Sequence, residues 1–120
     1  MSTYADAHRN ACANAITALG NRIGLYYGST RVGTVYADTT WGSAAKVTEG
    51  GYDWGKATGS TVTISVPAST VPNGTVIDGY GIFNGTTLLR RELLPISLTI
   101  NDGSQAFQVD VTPTFKYRGE

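Results

Sequence analysis

Residues 61–66, Thr-Val-Thr-Ile-Ser-Val, set Val62, Ile64 and Val66 on one face and Thr61, Thr63 and Ser65 on the other, and Pro67 ends the run. A period of two marks a half-buried strand, because successive side chains leave a strand on opposite sides. The same period spreads outward along the chain. Towards the C-terminus, Pro72-Asn73-Gly74 is a turn, and Val76 to Phe83 reads as the next strand. Asn84-Gly85 then predicts a tight hairpin with Thr87 to Leu94 as the return strand, both turn positions tolerating positive φ. Ile96, Leu98 and Ile100 alternate up to the turn at 101–104, and Phe107, Val109 and Val111 alternate back. Pro113 breaks or bulges that last strand near Phe115 and Tyr117.

Towards the N-terminus, Arg22 to Tyr27 and Val32 to Tyr36 read as two strands joined through Gly28-Ser29. The segment 37–59 has Trp41, Tyr52 and Trp54 among several glycines and only a weak period. Before residue 21 the pattern changes. Thr3 to about Leu19 is rich in Ala, which favours helix, and Gly20-Asn21 supplies a C-terminal stop. Ser2 or Thr3 is the expected N-cap, with Asp6 near the positive end of the helix dipole. The expected fold is mainly β, a β-sandwich or flattened barrel of short antiparallel strands preceded by one N-terminal α-helix. One domain spans 1–120, with the helix in 1–20 and the sandwich in 21–120, a size that supports a single core.

Composition removes several functions. Nine Lys and Arg balance nine Asp and Glu, and charged residues make up only 15% of the chain, so no basic footprint for nucleic acid is present. The doublet Arg90-Arg91 points to opposite faces of a strand and concentrates no charge. No apolar run approaches the roughly 20 residues that span a bilayer, and no charged segment leads into an apolar one as in a secretory signal. The expectation is a soluble protein made in a cytoplasm, with neither nucleic acid nor membrane as partner.

Catalytic constellations are missing as well. His8 is the only imidazole and lies on the helix, and no Gly-x-Ser-x-Gly elbow accompanies it. Two carboxylates, for instance Glu49 and Asp53, could serve glycoside hydrolysis, which needs an acid and a base or nucleophile at a set separation, but acids this scattered read as solvated loop charges. One His, one Cys and dispersed acids make neither a zinc site nor a calcium loop, and no cofactor is implied. Cys12, flanked by alanines, reads as a small hydrophobe. Two surfaces remain as binding candidates. Cys12, Ile16 and Leu19 share one helix face, which needs a partner surface in its own domain or on another protein because an isolated helix of this length is marginal. Trp41, Tyr52 and Trp54 could close a small core or an intersubunit contact, or stack on a sugar ring while Glu49, Asp53 or Lys56 bond its hydroxyls.

The Ala-rich helix, Leu25-Tyr26-Tyr27, Thr40-Trp41-Gly42, Ile64-Ser65-Val66-Pro67-Ala68 and Asp78-Gly79-Tyr80-Gly81-Ile82-Phe83 ahead of a Leu-rich strand follow one another over nearly the whole chain. In this order they resemble the small accessory virion proteins of tailed bacteriophages, the short tail-fibre and minor structural proteins. The resemblance implies a β-rich, non-enzymatic subunit on the virion surface, in many copies and with no catalytic residues to carry over. Its partners would be other virion proteins, the major capsid protein or tail proteins, together with further copies of itself. A capsid decoration or minor capsid protein that reinforces neighbouring shell subunits is the first expectation. A short tail-fibre or baseplate subunit facing a host glycan is the second, and a free carbohydrate-binding β-sandwich module the third.

Overall fold

The computed structural model describes residues 3–119. The molecule is mainly β, with antiparallel sheets and one N-terminal helix. Helix α1 is Asp6–Thr17, and ten strands follow among the described residues: β1 Arg22–Tyr27, β2 Thr30–Arg31, β3 Ala37–Asp38, β4 Ala45–Glu49, β5 Tyr52–Thr58, β6 Val62–Val66, β7 Thr75–Asn84, β8 Thr87–Ile100, β9 Phe107–Val111 and β10 Thr114–Tyr117. They form three sheets. The largest runs β2-β1-β7-β8 with β3 also paired to β1, the second is the ribbon β6-β9, and the third runs β10-β5-β4.

The first two sheets make the sandwich. Ile23 and Leu25 of β1 and Ile77, Tyr80 and Ile82 of β7 meet Val62, Ile64 and Val66 of β6 and Val109 and Val111 of β9 in one buried cluster. Alternation explains this arrangement. Strands β6 and β9 put Val62, Ile64, Val66, Val109 and Val111 inward and Thr63, Ser65, Gln108 and Asp110 outward, the pattern BeBeB of β6 being the clearest, whereas β1 and β7 are buried on both faces. On the opposite face of the large sheet the Tyr26 and Phe83 rings stack with centroids 6.4 Å apart. They lie across Gly81, where a Cβ would come within 2.7 Å of Tyr26 Cε1. Arg31 covers the Phe83 ring at 4.3 Å and Arg91 the Tyr26 ring at 5.5 Å.

The third sheet stands apart from that core and is covered on one side by α1. Arg9, Ala13 and Thr17, spaced four apart, are the buried residues of the helix. Ala13 and Thr17 are small, and Gly55 of β5 lets the helix backbone come close: a Cβ there would lie 2.6 Å from the Arg9 carbonyl oxygen. The molecule is accordingly long, 52 × 28 × 21 Å, with a radius of gyration of 15.9 Å against roughly 13.5 Å for a round domain of this length.

Several expectations need correction. The helix starts later than expected: the N-cap is Ala5, without a side-chain cap bond. Asp6 is engaged by Arg9 Nη2 at 2.6 Å, and Arg9 Nη1 donates to the Tyr4 carbonyl, so a buried arginine secures this end in place of a Thr3 hydroxyl. Ser2 lies outside the described residues. Val32 to Tyr36 is no strand, because Gly33 has φ +51° and turns the chain; β2 and β3 flank it instead. Only Gly85 of the Asn84-Gly85 pair has positive φ, and Asn84 pairs with Thr87, so the two-residue loop is Gly85-Thr86. The strands expected at 87–94 and 96–100 are one strand, β8, whose register with β7 jumps between Leu93 and Leu98 around Pro95.

Candidate functional site

The aromatic trio divides. Trp41 sits half-buried at the junction of the sandwich and the helix-covered sheet, where its Nε1 donates to the Gly20 carbonyl at 3.0 Å and Arg90 stands 5.9 Å from its ring. Tyr52 and Trp54, two apart on β5, share the face of the third sheet that points away from α1. The pairing of β5 with β4 and β10 brings Val47, Glu49, Lys56 and Lys116 onto the same face. Lys116 Nζ lies 4.8 Å over the Trp54 ring and 2.9 Å from Glu49 Oε2, and Lys56 Nζ lies 3.7 Å from Glu49 Oε1. The Lys116 hydrogen bond, followed by the nearby lysine charges, holds the Glu49 carboxyl below its ordinary range. Arg118 covers the Tyr52 ring at 3.5 Å, and Trp54 Nε1 donates to the Glu49 carbonyl at 3.0 Å.

Glu49 and Asp53 do not converge. Asp53 lies on the helix side, 3.8 Å from Arg9 and 3.9 Å from Lys46, while Glu49 is on the open side with its two lysines. The separation follows from the hairpin register, which pairs Glu49 with Tyr52 and Thr48 with Asp53. His8 is exposed; its Nε2 is 3.7 Å from Cys12 Sγ and its ring meets the edge of Tyr4 at 4.7 Å. Interaction with the Cys12 thiol raises the pKa of the Tyr117 hydroxyl. Among the described residues no group of three His, Cys, Asp or Glu converges on a metal position, and no helix is long and apolar enough to cross a membrane.

On the helix, the buried stripe runs one position round from the face read from sequence. Cys12 and Ile16 flank that stripe and are half-buried, while Leu19, beyond the helix end, is 56% exposed. The largest apolar exposure lies elsewhere. Strand β8 closes one side of the large sheet, bonded to β7 and to no other strand among the described residues. Leu93 is 80% exposed and Ile96 77%, and Leu88, Leu89 and Leu98 are exposed as well. Sequence reading missed this surface, although Pro95 within an alternating run is the usual sign of an edge strand or a bulge.

Between the two ends lies Arg90, on the inner face of β8. Its guanidinium is 4.6 Å from the Phe115 ring, its Nε is 3.8 Å from Glu92 Oε1, and its Nε and Nη2 have no hydrogen-bond partner among the described residues. Burial lowers its pKa from the ordinary arginine value.

No protein-family model, no curated protein and no solved structure matches this chain.

Proposed function

We propose that this protein is a non-enzymatic structural subunit of a phage particle surface, foremost a capsid decoration or minor capsid protein that binds neighbouring shell subunits. The observation that carries this reading is the β8 edge. A long outer strand with Leu93 and Ile96 in water is an unstable surface for a free monomer and a suitable one for an assembled subunit. The long shape supports it too, since an elongated body presents edges at separate places. Purified particles separated into heads and tails, with each fraction quantified by mass spectrometry, provide the test. A stoichiometric amount on heads is expected. Recovery in tails alone replaces the head assignment with a short tail-fibre or baseplate one, and absence from both fractions overturns the proposal.

A second reading, carbohydrate binding, is favoured by Tyr52 and Trp54 sharing with Lys56 and Lys116 the sheet face that points away from α1, although Arg118 and Lys116 each lie over one of the two rings. Isolated protein should then bind host cell-wall glycan in a pull-down, and a folded Trp54→Ala variant should lose that binding. Binding that survives in Trp54→Ala removes this reading.

A further inference from the structure

Resting on the assembly reading above, we infer that the occupant of the β8 edge is a second copy of this chain, added antiparallel about a two-fold axis through Arg91. Geometry restricts the choices sharply. A two-fold axis normal to a sheet leaves each side chain on its own face, so it must pass through a residue rather than between residues. The stretch available is the straight part of β8 between its two register irregularities, opposite Gly79 to Ile82 of β7, which is Arg90 to Leu93.

Through Arg90 the axis would oppose the two half-buried Arg90 guanidiniums, and through Glu92 it would oppose two carboxylates. Like charges directly across a strand pair are destabilising. Through Leu93 the strand would run at once into the bulge at Pro95 of the second copy. Through Arg91, Arg90 faces the second copy's Glu92 and Glu92 faces the second copy's Arg90, on the inner face, twice by symmetry. Leu89, 37% exposed at the bulge beside this stretch, is set opposite the 80% exposed Leu93 of the second copy, also twice.

Arg91 would then oppose itself, but its guanidinium is already turned away from the edge. It lies over the Tyr26 ring at 5.5 Å, with Nη1 3.5 Å from the Gly28 carbonyl, across β7 on the far side from the open edge. Arg90 supplies an independent reason. Its own Glu92 stands 3.8 Å away, beyond hydrogen-bond distance, so a second carboxylate across the strand pair adds by charge to a guanidinium weakly paired within its chain, although Nε and Nη2 themselves are buried and out of its reach. The result is one continuous antiparallel sheet through both copies, with the β8 edge closed around Arg90 to Leu93.

Single-cysteine variants in a Cys12→Ser background test the register. On mild oxidation Arg91→Cys should form a covalent dimer at least tenfold faster than Leu98→Cys, which lies beyond the bulge. In sedimentation the unmodified chain should be a dimer, and Glu92→Lys should weaken association at least tenfold while keeping its circular dichroism and melting curve. A monomer at millimolar concentration, equal cross-linking at both cysteines, or Glu92→Lys dimers of unchanged affinity would each overturn the inference. Dimers of this register absent from particles would instead count against the assembly reading, and particle-bound protein without the Arg91 cross-link would count against this register alone.

Discussion

The two ends of this molecule hold their strands together by different means. In the sandwich, Ile23, Leu25, Ile64, Ile77 and Ile82 are wholly buried, and cohesion comes from aliphatic area removed from water. At the other end the buried cluster has no member from α1, β4, β5 or β10. There Ala13 and Ala57 are the buried apolar side chains, the helix lies close on Gly55, Arg9 is buried against Asp6, and cations cover the aromatic rings. A β-fold can thus join a part held by volume to a part held by close approach and charge. The second part should yield first.

Four measurements break or sharpen that contrast. Ile64→Ala should lower urea stability by about 2–5 kcal/mol, the ordinary cost of a cavity in an aliphatic core. If the helix amides stay protected from exchange while the sandwich opens, the two ends fold separately. Gly55→Ala should cost about 1–3 kcal/mol, because the new methyl meets helix backbone that cannot swing aside. Exchange should quicken in 6–17 far more than in 62–66; equal quickening would erase the distinction. Arg90→Leu, at the junction, should stay within about 1 kcal/mol of the parent, since an apolar side chain can replace a guanidinium that is only partly paired.

The smallest effect is expected in acid. The folded-state pKa of Glu49 is depressed, so its contribution is complete above the ordinary glutamate value of about 4.3 and is lost as pH falls through the lower folded value. Trp54 fluorescence should report this, because its Nε1 bonds the Glu49 carbonyl, and Lys116→Met should shift the transition up towards the ordinary value.

Legibility in the sequence follows the same contrast. Strands β6 and β9 were readable because burying β-branched residues on one face imposes a period of two, and β1 and β7, buried on both faces, because glycine turns bound them. Strand β5 was not, since its helix side is Asp53, Gly55 and Ala57 and its other side Tyr52, Trp54 and Lys56, so neither face is aliphatic. The one available signal was Gly50-Gly51, whose φ values of +61° and +81° suit a two-residue hairpin. Likewise the buried helix stripe Arg9, Ala13 and Thr17 is chosen by size and ion pairing, to which an apolar periodicity is blind. The Tyr52 and Trp54 surface was legible as residues but not as a face, and Trp41 was grouped with them only because all three are aromatic.

Arg90 gives the junction a mechanical character. It faces Phe115 across the gap between the large sheet and β10, where Tyr80 also receives a hydrogen bond from the Thr114 amide at 3.1 Å. A cation over a ring face is attracted over a range of positions within about 6 Å, unlike a hydrogen bond, which weakens steeply with misalignment. The hydrogen bonds of the junction, from Trp41 to the Gly20 carbonyl, from Thr39 to the Ser60 carbonyl and from Thr114 to Tyr80, fix its angle, and the cation over the ring adds attraction without setting one. A push on the helical end would therefore be passed across the junction to the sandwich rather than taken up by a hinge.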